Sequence, residues 1–283
     1  MQTLEPVLRI LPPEYRAALQ SCGYSDLTEL RLRAGRAPCL LHGGGQLLLD
    51  APPVRAETLQ TVLQAATGQS AYAAVTLRQG YLTLPGGHRL GLCGTAVLQD
   101  GGIRSLKEPS SVCIRIAADR EVPLRGLEEA AKGNLLLIGP PCSGKTTLLR
   151  CLLRRISRQG VRVGLADERS EVAACFGGVP QMDVGPNTDV LSAMPKAQAL
   201  MQLLRTMNPQ LLACDEITAP EDVEAVRTCS YCGVKLLATA HAERAEDLIK
   251  RPLYRALLQL RVFERLAVLT PDRQFHMEEA PEC

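Results

Sequence analysis

Residues 139–150 read GPPCSGKTTLLR, after the apolar run Leu135–Ile138 and ahead of a segment rich in Leu and Arg. Every fixed position of a G-x-x-x-x-G-K-T phosphate loop is filled, from Gly139 to Thr146. Successive backbone N–H groups in such a loop form a concave anion site, and the helix that follows adds its positive end. Gly139 and Gly144 supply backbone shapes that a Cβ hinders. The expected cradle is Gly139, Pro140, Pro141, Cys142, Ser143, Gly144, Lys145, Thr146 and Thr147. Lys145 reaches the β- and γ-phosphates in this pattern, and the Thr146 hydroxyl sits on Mg²⁺. The context agrees: Leu135–Ile138 reads as a short buried strand, and 146–159 as a helix stopped by Gly160. The expected ligands are ATP and Mg²⁺.

Composition bounds the rest. The 283 residues exceed what one phosphate-loop core needs, which predicts two domains. A net charge of +2 without any Lys/Arg run provides no dedicated polyanion patch. Six Tyr, three Phe and no Trp leave few platforms for stacking bases, so no nucleic-acid partner is expected. No apolar run reaches the ~18 residues of a membrane span, and the start, MQTLEPVLRILPPEYR, has no basic leader before a long apolar core. Neither Gln2 nor the terminal APEC fits a lipidation motif. A cytoplasmic chain with no direct membrane insertion is expected. Its eleven cysteines are scattered and odd in number, which reads as free thiols in a reducing compartment. Cys93, Cys113 and Cys214 stand where small buried hydrophobes suit a strand. The Cys229/Cys232 pair lacks the partners that zinc spacing requires.

Three segments are expected: an α+β domain over 1–116, a linker with a short helix over 117–133, and a phosphate-loop domain over 134–283. In the first, ELRLRAGRAPCLL and GGGQLLLD read as strands around Gly-rich turns, and RAETLQTVLQAATG as a helix with a Gly stop. PGG and DGG mark turns in the strand-rich stretch that follows. VCIRIA reads as the last strand. Arg31, Arg33, Arg89 and Arg115 lie on strands, either solvated or facing a neighbouring subunit's nucleotide, where a guanidinium suits phosphate.

After residue 133, apolar runs alternate with helical stretches, predicting an α/β fold with a mainly parallel sheet covered on both faces. Ligands in such sheets bind beyond the carboxyl ends of the strands. Three ends carry chemistry. LLACDEI finishes in Asp215, suited to the Mg²⁺ shell, and Glu216, suited to orient attacking water. VGLADERSE finishes in Asp167, Glu168 and Arg169, and LLATAHA in Thr239 and His241, suited to sense or stabilise the γ-phosphate. Together they predict a hydrolase. A nucleic-acid translocase and a small-molecule kinase share the phosphate loop and stand as alternatives. The first is disfavoured by charge and aromatic content, the second by the Asp-Glu pair.

One strand–helix unit separates the phosphate-loop strand from the Asp-Glu strand, the order of RecA-like motors. In order and spacing, GPPCSGKTTLLR, VGLADERSEVAACFGGVPQMDVG, TDVLSAMPKAQALMQLLRTMNPQLLACDEI and LLATAHA resemble the stage III sporulation protein AA family. ELRLRAGRAP and GYLTLPGGHRLGLCGTAV extend the resemblance over nearly the whole chain. It implies a RecA-like ATPase domain preceded by a smaller α+β domain, related to type II and type IV secretion ATPases. It places Glu168 and Glu171 in an aspartate box, His241 in a histidine box, and Arg205 in a stretch whose arginine contacts nucleotide in the ring. Catalytic roles are thus expected for Glu216, Lys145, Glu168, His241 and Arg205, with Thr146 and Asp215 on the metal. Asn187 stands where an arginine is usual, and Thr218 and Ala242 where glycines are usual. The resemblance implies a homo-oligomer, a hexameric ring, in the mother cell of an endospore former. There it docks at the engulfing membrane on membrane proteins of a sporulation channel complex.

Overall fold

The computed structural model describes residues 4–23, 26–68, 81–99 and 102–282, with backbone alone at 102–105. The chain forms two compact units. One comprises Met1–Asp119 with Phe176–Gln181, the other Arg120–Cys175 with Met182–Cys283.

The first unit carries helices α1 (Glu5–Ile10), α2 (Pro13–Ser21) and α3 (Ala56–Thr67) and strands β1 (Leu27–Arg33), β2 (Cys39–His42), β3 (Gly45–Leu48), β4 (Tyr81–Thr83), β5 (Arg89–Gln99) and β6 (Gly102–Arg115). The strands form an antiparallel sheet in the order β3-β2-β1-β6-β5-β4. Alternation sorts its faces. Leu30, Leu32, Leu90, Val112 and Ile114 join Val7, Tyr15, Leu59 and Val62 in one buried cluster. Arg31, Cys113, Arg89 and Arg115 occupy the alternate positions, where Glu29 takes Arg31 at 2.7 Å and Arg115 at 3.7 Å. Helix α3 ends at Gly68, whose φ of 52° suits the left-handed cap.

Residues 112–115 of VCIRIA are the end of β6, the last strand of this sheet, which starts at Gly102. It runs through Pro109 because the ladder with β5 breaks register between Cys93 and Thr95. Such a bulge spares a proline its missing donor. At Gly94 the backbones approach so closely that a Cβ would lie 2.6 Å from the Lys107 carbonyl oxygen. Cys93 is exposed and Cys113 half-buried, so only Cys214 of those three thiols is buried. The DGG turn has Asp100 and Gly101 outside the described residues.

The second unit continues with α4 (Leu127–Ala130), β7 (Leu135–Gly139), α5 (Lys145–Arg158), β8 (Val163–Asp167), β9 (Thr188–Ser192), α6 (Lys196–Thr206), β10 (Leu211–Cys214), α7 (Pro220–Tyr231), β11 (Lys235–His241), α8 (Ala245–Lys250), α9 (Pro252–Gln259), β12 (Arg265–Leu269) and β13 (Phe275–Glu279). The sheet order is β13-β12-β7-β11-β10-β8-β9, parallel except for β13. β11 therefore lies between the phosphate-loop strand and the Asp-Glu strand.

Two apolar clusters cover the sheet. Leu148, Leu149, Leu152, Leu153 and Ile156 of α5 pack with Leu135 and Leu137 of β7 on one side. Leu200 and Leu203 of α6 and Val226 of α7 pack with Leu136, Leu212 and Leu236 on the other. Burying each such leucine contributes ~1.5–3 kcal/mol. Two arginines of α5 are buried as well, and main-chain oxygens satisfy them. Arg150 donates to Val172 O at 2.6 Å and Glu171 O at 2.8 Å, and Arg154 to Asp183 O at 2.8 Å. The helix behind the phosphate loop thereby holds the long connection after β8 at two points.

Candidate functional site

The phosphate loop closes between β7 and α5 with φ of +62° at Cys142 and +95° at Gly144. Gly139 must be glycine for a different reason. A Cβ there would lie 2.7 Å from Ser143 Oγ and 3.0 Å from the Leu269 carbonyl oxygen. Ser143 Oγ is buried and finds no hydrogen-bond partner among the described residues.

Lys145, the first residue of α5, is buried. Its ammonium donates to Gly139 O at 2.8 Å and Pro140 O at 2.9 Å, and lies 3.0 Å from His241 Nδ1. Burial lowers its pKa, against the opposing charges of Glu216 and Asp215. An ammonium can only donate, so Nδ1 of His241 accepts from it. The ring proton then sits on Nε2, which points at Glu216 Oε2 over 2.9 Å. One neutral imidazole from the end of β11 thus links the loop lysine to the second acid after β10.

Asp215 is fixed by two hydroxyls. Thr146 Oγ1 donates to Oδ2 at 3.1 Å and Thr239 Oγ1 to Oδ1 at 2.9 Å. Lys145, Thr146, Asp215, Glu216, Thr239 and His241 therefore converge at the carboxyl ends of β7, β10 and β11, as strand-end polarity leads one to expect.

Asp167 has another job. It is buried, and it accepts the N–H groups of Glu171, Val172 and Ala173 at 2.9, 3.1 and 2.8 Å. Burial pushes its carboxyl up, and the three donors oppose that. It holds the turn after β8 rather than presenting a free acid. Replacing Asp167 with Ala strands these donors, each at ~1–3 kcal/mol when buried. The urea midpoint should fall by the equivalent of ~2–4 kcal/mol. An unmoved midpoint would mean that water replaces the carboxylate.

Glu168 lines a crevice with Asp167, Asp215, Glu216 and Thr218, and its carboxylate lies 3.3 Å from Lys196 Nζ. Glu171 lines the same crevice from an exposed position. Lys196 and a second partner, Asp222, were not legible as site residues. For Asp222 a signal exists: it stands at the third position of a helix that begins with Pro220, where acids cap N–H groups.

Arg205 is not gathered into this group. It is exposed in the last turn of α6, in a groove shared with Met201, Glu221 and Glu224. Cys142 is exposed on the loop. Cys229 is buried, which pushes its thiol up to about 11, whereas Cys232 is exposed.

The fold is that of the RecA-like secretion ATPases. The structure of the pilus retraction motor PilT superimposes with a TM-score of 0.62 at 16% identity, over 93% of this chain and 77% of that one. The ATPase DotB of Legionella pneumophila does so with a TM-score of 0.57 at 15% identity, over 86% and 72%. Identity that low establishes shared fold alone. The sequence goes further: the family described as Sporulation stage III, protein AA matches residues 1–276, and the chain belongs to it. It is 36% identical to the stage III sporulation protein AA of Bacillus subtilis over 281 residues, covering 94% of this chain and 91% of that relative. No helix among the described residues is long and apolar enough to cross a membrane.

Proposed function

We propose that the chain is a Mg²⁺-dependent ATPase. It would power a membrane-spanning channel complex between mother cell and forespore, working as a hexameric homo-oligomer in the mother-cell cytoplasm. The observation that carries the hydrolytic part is the convergence of Lys145, the Thr146–Asp215 pair and the His241–Glu216 pair at adjoining strand ends. Ser143 Oγ, buried and unpartnered among the described residues, and an ammonium otherwise met by carbonyls and a ring nitrogen suit an anion. The donor set therefore fits a nucleotide triphosphate with its metal.

In this reading the residues from Gly139 to Thr147 cradle the phosphates, and Lys145 offsets their charge. Thr146 and Asp215 would hold Mg²⁺, which supplies charge neutralisation on the phosphate oxygens when bound. Glu216 orients the attacking water and accepts its proton, and the Nε2–H of His241 keeps that carboxylate in place. Glu168 stands across the crevice as a second acid. Arg205, remote from this group within the chain, serves a neighbour's site, and Arg115 is the other candidate for a guanidinium in trans. Among its described residues the first unit carries no comparable gathering of acid and base, which favours it as the contact to a membrane protein of the channel.

The decisive measurement is phosphate release from ATP without any added acceptor, followed against oligomer size and with membranes from sporulating cells. Turnover that rises on assembly and on membrane addition supports the reading. Turnover that needs a small-molecule acceptor would make the chain a kinase, and a salt-dependent gel shift with nucleic acid would make it a translocase. A mixing experiment tests the shared site. Arg205→Ala and Glu216→Gln chains are each expected to be inactive alone and to recover activity in mixed rings. No recovery at any ratio would place the arginine's role within its own chain.

A further inference from the structure

We infer that Lys196 is a positioning residue, which holds Glu168 and the turn behind Glu216 in the one arrangement that supports hydrolysis; the inference rests on the ATPase reading above.

Lys196 is the first residue of α6 and is 6% exposed, unusual for a lysine without a task in the interior. Its Nζ lies 3.3 Å from Glu168 Oε2 and 3.5 Å from Asp222 Oδ2. Asp222 is also buried, and the same Oδ2 accepts the N–H groups of Thr218 and Ala219 at 3.0 and 3.1 Å. Those two residues stand two and three positions after Glu216, beyond Ile217. Asp222 thus pins the turn that carries Glu216, and Lys196 neutralises Asp222. The other hand of the ammonium takes Glu168, which belongs to the turn after β8. One buried cation therefore ties together the acid-bearing ends of β8 and β10, two neighbouring strands. Burial works to lower the pKa of Lys196, yet the carboxylates of Asp222 and Glu168 outweigh it and hold it raised.

A purely structural residue could be apolar here, since a buried ion pair repays its desolvation poorly. What an apolar side chain cannot do is fix two carboxylates at once. Catalysis is sensitive to this: misplacing a group by about 1 Å can cost ~10²-fold.

The test uses the full chain with Lys196→Met, and with Lys196→Met plus Asp222→Asn. The double variant leaves no uncompensated buried carboxylate and keeps an acceptor for Thr218 and Ala219, so it covers the case in which the single variant does not fold. Amide exchange, measured without nucleotide, should be about 10-fold faster at Thr218 and Ala219 in folded Lys196→Met, and in the double variant as well, where a neutral amide oxygen is a weaker acceptor than the carboxylate. The value of kcat should fall ~10–10²-fold while KM stays within about threefold. Glu168→Gln added to Lys196→Met should cost little more, because the lysine's loss has already released that carboxylate. A folded variant with wild-type exchange at Thr218 and Ala219 overturns the inference whatever its turnover, and so does a kcat within about twofold of wild type. A wild-type chain without turnover would sink the ATPase reading instead, and the exchange measurement would still decide what Lys196 holds.

Discussion

Lys145→Ala is expected to weaken ATP binding by ~10²–10³-fold, the range for truncating one partner of a desolvated, hydrogen-bonded charge pair. The lysine is buried at the start of α5 and makes its contacts to Gly139 O, Pro140 O and His241 Nδ1. The methyl group of Ala replaces none of these. The glycines that shape the phosphate loop are untouched, while two of its carbonyls lose a donor. The larger loss should therefore appear in affinity, with a smaller one in the melt. Titration with a fluorescent ADP or ATP analogue, beside a thermal melt, separates the two. Retention of affinity within about twofold would mean that backbone N–H groups alone carry the phosphate.

The Glu216→Gln chain should behave in the opposite way, binding ATP as the parent does while turnover drops by ~10²–10³. Gln keeps an oxygen that can accept the Nε2–H of His241, now 2.9 Å from the carboxylate, so the side chain stays where it is. What is lost is the negative charge that orients water and receives its proton. Single-turnover hydrolysis with pre-bound ATP checks this directly. Full turnover by Glu216→Gln would pass the water-activating role to Glu168, the next acid in the same crevice.

Much of the site was legible because its parts are contiguous in the chain. A strand, a loop with fixed spacing and a helix stand next to one another from Leu135 to Arg158. The polar ends of β10 and β11 were readable too, since acids and hydroxyls after an apolar run mark a strand end at the ligand side. Contacts between distant segments were not readable. The His241 bridge joins residues 96 positions apart, and no periodicity foretells it. The structural part of Asp167 was not readable either, because a sequence does not reveal three amides folding back onto one carboxylate. Lys196 resembles any solvated lysine at a helix start until its burial is known. β13 lacks an apolar run and forms only because β12 offers it an edge.

The two buried arginines of α5 bear on how this chain can change. Arg150 and Arg154 grip the connection after β8 through its main-chain oxygens, at Glu171, Val172 and Asp183. Every residue type supplies that oxygen, so the exposed Glu171 side chain can change without loosening the main-chain hold, whereas Val172 is buried among the leucines of α5 and the Asp183 carboxylate itself lies 3.4 Å from Arg154 Nε. The arginines have no such freedom. Lysine lacks the planar fork that serves two carbonyls at once. Mutational tolerance should thus be lopsided across one contact, broad at Glu171 and strict at Arg150, and a saturation library over residues 150 and 171 would display it as such.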